Sequence, residues 1–293
     1  DRIVGNHAES YTSNLDFHAG KLSKVLYPLK IIYSVEARKK IRQVLEDFNP
    51  EVVHLNNFNF QLTPSIIYEI KAFEKKNNRK ISIIYTAHDS QLVCPNHLMQ
   101  NPVTGERCTQ CLKNGVGSCV KGKCIHGSGI KSIMGAFEGW LYNKLRTYKY
   151  IDKIICPSNF MREKLETSEV LRNKIEVMPN FISGELTRYS EGNKQDYVIY
   201  FGRYSYEKGI ATLLSVCRRL PEIRFVFAGN GPLENDVNIL DNIDNKGFLT
   251  GNELYTAISN ALFMVMPSEC YENCPFSVME SITLGTPVIG ADL

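Results

Sequence analysis

Short apolar runs alternate with amphipathic stretches along most of this chain, and that alternation limits the possible folds more than any other feature. The runs Glu51–Asn56, Lys80–Thr86 and Lys153–Cys156 are rich in β-branched residues and almost continuous. Continuous runs are typical of parallel strands that are covered on both faces. The stretches between them, such as Val35–Phe48, have helical spacing. The pattern predicts an α/β fold made of two Rossmann-like, doubly wound parallel sheets.

The predicted elements form two series, separated by a polar, aperiodic stretch at Thr187–Gln195. We therefore predict an N-terminal domain over residues 1–185 and a C-terminal domain over residues 195–293. Two such domains in one chain predict a ligand cleft between them. The further predicted strands are Lys174–Met178, Tyr197–Phe201, Ile223–Ala228, Asp244–Phe248, Leu262–Met266 and Pro287–Ile289, and the further predicted helices are Pro64–Lys75, Asn159–Leu165, Gly209–Leu220, Leu233–Leu240, Gly251–Ala261 and Pro275–Gly285.

Composition excludes several classes of protein. With 43% hydrophobic and 22% charged residues among 293, the chain is neither disordered nor a coiled coil. No apolar run approaches the roughly 20 residues that span a bilayer. The net charge of +3 is uneven, because residues 1–187 hold 26 Lys and Arg against 18 Asp and Glu, whereas residues 188–293 hold 8 against 13. The basic half suits an anionic partner, and a solvated lysine-rich surface is the alternative.

Five of the nine cysteines lie in the aperiodic segment Val93–Gly129. An odd number of scattered cysteines argues against a disulfide scaffold and favours a reducing, cytoplasmic setting. The Cys-x2-Cys pair at Cys108 and Cys111, with Cys119 and Cys124, has the spacing of a four-thiolate zinc site. Such a zinc would be structural, because four thiolates leave no open coordination position. Unligated thiols, or a disulfide in an oxidising compartment, are the alternatives.

The first candidate ligand site is the segment Gly202–Gly209, between a predicted strand and a predicted helix. Glycine at the end of a strand lets the backbone approach a ligand, and the helix that follows offers free N–H groups to an anion. Arg203 and Lys208 could neutralise a diphosphate. The segment has neither the P-loop pattern nor the Gly-x-Gly-x-x-Gly pattern. A polar turn with surface cations is the alternative.

The second candidate site contains two acids, Glu272 and Glu280, on either side of Pro275, which is suited to open a helix. Both acids would then lie near the carboxyl edge of the sheet, where such folds bind ligands. A carboxylate in the loop can accept hydrogen bonds from sugar hydroxyls, and one on the helix can bind a ribose diol. The helix start near Phe276 and Ser277 can meet phosphate oxygens. Solubility is the alternative role for exposed acids.

Together these segments resemble the family-4 retaining glycosyltransferases. Gly202–Gly209 is similar to the Gly-Arg-x4-Lys-Gly donor-phosphate motif of that family, and Glu272–Glu280 is similar to its Glu-x7-Glu motif. The resemblance covers nearly all of residues 50–293. The other segments that carry it are Pro179-Asn180, Ala228–Pro232 and Gly285–Gly290.

The resemblance implies a GT-B fold, whose second domain binds a UDP- or GDP-linked sugar and whose first domain binds the acceptor across a cleft. It implies that Arg203 and Lys208 hold the diphosphate, Glu280 the ribose and Glu272 the transferred sugar. The donor-binding residues implied in this way are Gly202, Arg203, Lys208, Gly229, Gly231, Phe248, Leu249, Glu272, Phe276, Ser277 and Glu280. The catalytic residues implied are Glu272, His88, Arg203 and Lys208.

The resemblance also implies a reaction that retains the anomeric configuration, by same-face attack in which the leaving phosphate takes the acceptor proton. No cofactor is needed for catalysis, because Arg203 and Lys208 supply positive charge. His88 follows a predicted strand at the position where the family has a histidine facing the donor sugar, although a structural role is the alternative for a lone histidine. Asp89, Ser90 and the nearby segment His54–Asn57 are weaker candidates.

We therefore expect a glycosyltransferase that moves a hexosyl unit to a glycan or lipid-linked hydroxyl in cell-surface polysaccharide biosynthesis, at the inner face of the membrane. The helix with Lys144, Arg146 and Lys149 beside Trp140 is either a peripheral membrane contact or an ordinary core helix. A non-catalytic nucleotide-sugar-binding protein and a zinc-knuckle nucleic-acid binder are the alternatives. The second lacks interleaved aromatic residues, so no nucleic-acid partner is expected. The resemblance further implies missing units at both ends, in a parent chain of roughly 370–400 residues.

Overall fold

The computed structural model describes residues 30–59, 62–189 and 192–292. The chain divides into two compact units, Asp1–Met178 and Pro179–Leu293. Each unit is built on its own parallel sheet, as the continuous apolar runs predict.

The sheet of the first unit has four parallel strands in the order β1-β2-β3-β4. Helix α1 begins after Ser34, whose side-chain oxygen accepts a hydrogen bond from the backbone N–H of Ala37 at 3.1 Å. Ile83 and Ile154 on the strands and Ile67 on a helix are wholly buried between the layers. The elements are α1 (Val35–Phe48), β1 (Val52–Leu55), α2 (Ser65–Lys76), β2 (Ser82–Thr86), α3 (Gln110–Asn114), α4 (Ser118–Lys121), α5 (Gly129–Lys144), β3 (Lys153–Cys156), α6 (Asn159–Leu165) and β4 (Ile175–Val177), with 3-10 turns at Thr147–Tyr150 and Arg172–Lys174.

The sheet of the second unit has five parallel strands in the order β7-β6-β5-β8-β9. Every residue of the central strands β5 and β6 is buried, which is why their sequences are apolar throughout. The elements are β5 (Val198–Phe201), α7 (Ile210–Arg219), β6 (Phe225–Ala228), α8 (Glu234–Val237), β7 (Ile243–Asn245), α9 (Gly251–Ser259), β8 (Phe263–Met266), α10 (Phe276–Thr283) and β9 (Val288–Gly290), with 3-10 turns at Gly184–Tyr189 and Tyr206–Lys208.

The order of these strands creates a switch point between β5 and β8. The chain moves from β5 outward to β6 and β7, and then returns to the other side of β5 for β8 and β9. In open α/β sheets, ligands bind at the carboxyl ends of the strands at such a point. The loops that follow β5 and β8 therefore occupy the expected binding position.

Most predicted elements are confirmed with small shifts at their ends, and Val35–Phe48 and Lys153–Cys156 are confirmed residue for residue. The predicted helix Leu233–Leu240 is shorter, Glu234–Val237. The residues after Val237 form a turn, in which the side-chain oxygen of Asn238 accepts a hydrogen bond from the side-chain amide of Asn245 at 2.7 Å.

The unit boundary falls after Met178, whereas the sequence predicted a first domain to residue 185 and a linker at Thr187–Gln195. The 3-10 turn Gly184–Tyr189 belongs to the second unit, since Leu186 and Tyr189 pack against its core. The predicted linker includes residues 190 and 191, which lie outside the described residues. Within the described ranges, no helix is both long and apolar enough to cross a membrane.

Candidate active site

The loops after β5 and β8 are held in close contact at the switch point. Gly209 has a φ of +70°, and a Cβ atom there would lie 1.8 Å from the carbonyl oxygen of Pro267. The backbone N–H of Glu269 donates to the carbonyl oxygen of Glu207 at 3.0 Å, and that of Cys270 donates to the same oxygen at 3.2 Å. The glycine that ends the predicted phosphate motif is therefore required for the two loops to meet.

A cation and a carboxylate join these two loops. Lys208 Nζ lies 2.6 Å from Glu272 Oε1, and the hydroxyl of Ser268 donates to the same oxygen at 2.5 Å. The side chains of Lys208 and Glu272 keep 34% and 18% of their surface exposed. The pair is thus held in a fixed position that a ligand can still reach.

Arg203 projects from the loop after β5 and is exposed. Its own carbonyl oxygen accepts a hydrogen bond from the Tyr200 hydroxyl at 2.8 Å, which anchors the backbone beneath the side chain. Within the described part of the chain, its guanidinium group makes no hydrogen bond or ion pair. The group is therefore available to an anionic ligand.

Glu280 lies on α10, which begins at Phe276. Its side chain is half-buried, and burial raises the pKa of its carboxyl group. Among the described residues, that carboxyl group makes no hydrogen bond or ion pair. The turn before α10 is held by Asn180, whose side-chain amide donates to the carbonyl oxygen of Cys274 at 2.8 Å. Cys274 has a φ of +56°, and the hydrogen bond from Asn180 holds this strained backbone.

The loops after β6 and β7 lie at the same edge of the sheet. The backbone N–H of Gly229 donates to the carbonyl oxygen of Gly247 at 2.7 Å. At Gly231, a Cβ atom would lie 2.5 Å from the carbonyl oxygen of Tyr204, in the loop after β5. Phe248 is 72% exposed beside them, which is unusual for a ring of this size. Leu249, Phe276 and Ser277 complete the predicted donor set, and each lies in a loop or helix start at this edge.

Comparison with known sequences decides the family. Residues 4–185 match the family described as Glycosyltransferase Family 4, and residues 186–293 match the family described as Glycosyl transferases group 1. The chain belongs to glycosyltransferase family 4. Its two parallel α/β units have the GT-B fold of that family.

Individual relatives and structures support this placement. Sulfoquinovosyl transferase SQD2 of Arabidopsis thaliana is 37% identical over 118 residues, which cover 39% of this chain and 23% of that protein. Processive diacylglycerol alpha-glucosyltransferase of Acholeplasma laidlawii is 26% identical over 198 residues, which cover 58% of this chain and 59% of that protein. The family-4 chain thus spans less than two thirds of the length of these relatives. The crystal structure of Anabaena HepE in complex with UDP and glucose matches with a TM-score of 0.55 and 14% identity, covering 95% of this chain and 66% of that one.

The first unit of this family-4 protein has its own polar cluster at the carboxyl ends of β1 and β2. His88 Nε2 lies 2.9 Å from Asn56 Oδ1, and the side-chain amide of Asn57 donates to Asp89 Oδ2 at 2.9 Å. These pairs form because β1 and β2 are adjacent parallel strands. His88 is exposed and Asp89 is partly exposed, whereas Ser90 is buried with its hydroxyl bonded to the His97 carbonyl oxygen at 2.5 Å. The role of Ser90 is therefore structural.

The cysteines predicted to bind zinc lie together in the first unit. Cys108, Cys111, Cys119 and Cys124 surround one enclosed cavity, and Cys94 lines it as well. As the side chains stand, the described residues contain no group of three or more His, Cys, Asp or Glu that could hold a metal ion. All nine cysteines are free thiols.

Proposed function

We propose that this chain is a retaining glycosyltransferase, which moves a hexosyl unit from a nucleotide-diphosphate sugar to a hydroxyl of a glycan or lipid-linked acceptor. The observation that carries the proposal is the pair of Lys208 and Glu272 across the switch point between β5 and β8. A diphosphate needs cations and a sugar needs hydrogen-bond acceptors, and the pair supplies one of each at a single place.

Lys208 and Arg203 would bind the diphosphate. Both project from the loop after β5, so one short segment presents two cations. A guanidinium group can bind two phosphate oxygens at once, and an ammonium group provides a compact charge. When phosphate oxygens draw Lys208 away, Glu272 keeps the hydrogen bond from Ser268 and becomes free to accept hydrogen bonds from the sugar.

Glu280 and Phe248 would bind the nucleoside. A half-buried carboxyl group without a protein partner in the described ranges is well matched to the two hydroxyl donors of a ribose. The exposed ring of Phe248 offers a stacking surface for the base. Stacking does not distinguish uracil from guanine, so both UDP- and GDP-linked donors satisfy this site.

The proposed reaction uses these groups as follows. The bond between the anomeric carbon and the phosphate oxygen breaks, and the acceptor oxygen bonds to that carbon on the same face. The proton of the acceptor hydroxyl passes to the leaving phosphate oxygen. Arg203 and Lys208 stabilise the negative charge that develops on the diphosphate. His88 lies in the first unit, where Asn56 holds its ring, and it would hydrogen-bond a hydroxyl of a bound sugar.

A lipid-linked acceptor is favoured by one face of α5. Ile130, Ile133, Phe137 and Trp140 follow one another at helical spacing, and they are 75%, 56%, 47% and 51% exposed. The rings of Phe137 and Trp140 stack, with their centroids 5.8 Å apart. Tyr142, two residues after Trp140 on the same helix, is by contrast buried.

Basic side chains surround this apolar face. Lys131, Lys144, Arg146 and Lys149 are all exposed on α5 or directly after it. An exposed apolar stripe flanked by cations fits an anionic lipid surface. The relative from Acholeplasma laidlawii is named for transfer to diacylglycerol, which is a membrane lipid. We therefore propose that α5 contacts the membrane that holds the acceptor.

Assays with a panel of UDP- and GDP-linked sugars test the proposed activity. We expect sugar transfer in which the product keeps the anomeric configuration of the donor, as read by NMR. Glu272→Ala should lower transfer on the order of 100-fold, because the sugar loses its positioning group. Arg219→Ala, on the exposed far end of α7, is the matched control and should not change transfer. Unchanged transfer in Glu272→Ala would overturn the site, and donor binding without transfer would establish a non-catalytic binding protein instead.

A further inference from the structure

A groove of about 320 Å³ lies beside the exposed face of α5 in the first unit. Clefts that bind small ligands are typically lined mainly by apolar side chains and have volumes of roughly 300–1,000 Å³. This groove lies within that range. Its large apolar lining residues are Leu92, Val93, Leu112, Val116 and Trp140.

The core of the unit and α5 hold the apolar lining of the groove in place. Leu92 belongs to the buried core of the first unit, and Val93 packs against that core. Val116, in the turn between α3 and α4, packs on the glycine that precedes Trp140, since an added Cβ atom at Gly139 would lie 3.4 Å from Val116 Cγ1. The groove therefore has a floor and a wall that the fold itself fixes.

Trp140 connects the groove to the surface proposed to contact the membrane. The residue lines the groove and also belongs to the exposed apolar face of α5. Asn143 lines the groove as well and directly precedes the exposed cation Lys144. An apolar interior with cations beside it suits a molecule that has a hydrocarbon chain and an anionic head group. A peptide is a poorer match, because each of its residues brings backbone groups that need hydrogen-bond partners.

We propose that this groove binds one hydrocarbon chain of the lipid-linked acceptor, with the anionic head group beside Lys144 and Arg146. This inference rests on the proposed function, and it adds the place where the acceptor chain is held outside the bilayer. An apolar chain in an apolar groove stays out of water, so it can leave the bilayer at little cost in free energy.

The floor of the groove is close to the polar cluster at the carboxyl ends of β1 and β2. Leu92 follows His88 by only four residues. A tight turn lies between them, in which the backbone N–H of Val93 donates to the carbonyl oxygen of Ser90 at 3.0 Å. A chain held over this floor would keep the attached sugar or hydroxyl group near His88, where the acceptor is proposed to react.

Fluorescence titration of the whole chain with monomeric lysophosphatidylglycerol tests this proposal. The lipid carries bromine on its chain, and bromine quenches tryptophan on contact, so Trp140, the only tryptophan, reports binding. We expect saturable quenching of the wild type below the concentration at which the lipid forms micelles. Val116→Asp should weaken binding on the order of 10-fold or more, because the carboxylate would lose its water against the hydrocarbon. Wild-type protein that shows no saturable quenching would overturn the groove.

Two variants with the same kind of change separate the groove from the surface around it. Val103→Asp, at an exposed valine of the same segment outside the groove, is the matched control and should bind the lipid as the wild type does. Ile130→Asp, on the exposed face of α5 but outside the groove, should also bind normally. Weakening by Ile130→Asp together with normal binding by Val116→Asp would place the lipid on the surface of α5 and contradict the proposal.

A second variant keeps the test valid if Val116→Asp does not fold. Thr167 lines the groove at an exposed position, so Thr167→Tyr fills the groove without disturbing the core. It should weaken lipid binding, and unchanged binding would overturn the proposal. The titration contains no nucleotide sugar, so its outcome is independent of transfer. Lipid binding without activity in any donor assay would overturn the proposed function alone, whereas sugar transfer without lipid binding would overturn the groove alone.

Discussion

Lys208 Nζ lies 2.6 Å from Glu272 Oε1, although 64 residues separate the two side chains. The contact joins the loop after β5 to the loop after β8, at the switch point of the second sheet. A cation is thus held beside a carboxylate at the edge where open α/β sheets bind ligands. The first prediction separates the contribution of this pair to activity from its contribution to stability.

Lys208→Ala should lower kcat/KM for the nucleotide sugar by about 100-fold, because one of two cations is lost from the leaving diphosphate. The pair is partly exposed, so the free energy of unfolding should fall by less than about 1 kcal/mol. Steady-state kinetics and urea titration measure the two effects. A loss of stability as large as the loss of activity would show that Lys208 is structural.

Gly209→Ala should destabilise the second unit by more than about 2 kcal/mol, because the left-handed backbone and the Pro267 carbonyl both oppose a side chain. Gly247 is the matched control, since its φ is +66° and an added Cβ atom would have no neighbour within 4 Å. Gly247→Ala should cost about 1 kcal/mol. Equal losses in urea titrations of the two variants would exclude the contact with Pro267 as the cause.

Glu138 should make the first unit less stable at alkaline pH. The side chain is 9% exposed, burial raises its pKa from 4.5 to about 7, and its Oε1 has no hydrogen-bond partner in the described structure. Between pH 4.5 and about 7 the unfolded chain loses this proton while the folded chain keeps it, so stability falls as pH rises and then levels off.

Glu138→Gln should remove this dependence and be more stable than the wild type at pH 8 by up to about 3 kcal/mol. Glu163→Gln, on an exposed position of α6, makes the same change of charge without burial and serves as the control. Thermal unfolding followed from pH 4 to pH 9 measures both. Parallel pH profiles for the wild type and Glu138→Gln would contradict the prediction.

The exposed face of α5 should bind anionic vesicles. Trp140 is the only tryptophan of the chain, so its fluorescence reports on this face without a label. Vesicles that contain phosphatidylglycerol should shift its emission to shorter wavelength, and phosphatidylcholine vesicles should have less effect. Phe137→Asp should abolish binding, as measured by vesicle sedimentation. Ile239→Asp, at an apolar side chain of the second unit that is 66% exposed, is the control. Equal binding by the two variants would exclude α5 as the contact.

Much of the architecture could be predicted from the sequence, because it depends on local patterns. The buried strands β5 and β6 are continuous apolar runs. The segment Gly202–Gly209 directly follows β5, and Glu272 lies in the loop after β8. A residue that follows a parallel strand must lie at the carboxyl edge of its sheet. The α/β fold and the edge on which the candidate donor residues lie therefore followed from order along the chain.

Partners that are distant along the chain were decided only by the tertiary structure. The order β7-β6-β5-β8-β9 places β8 beside β5, and this alone brings Glu272 to Lys208. Folding of the aperiodic segment places Cys94 and Cys111 around the same cavity, although the spacing pattern had not included Cys94. Packing also decided that Tyr142 is buried while Trp140 is exposed. Local sequence determines which groups lie at the edge of a sheet or at a surface. Long-range packing determines which of these groups meet, because the energy of a contact depends on neighbours that are distant along the chain.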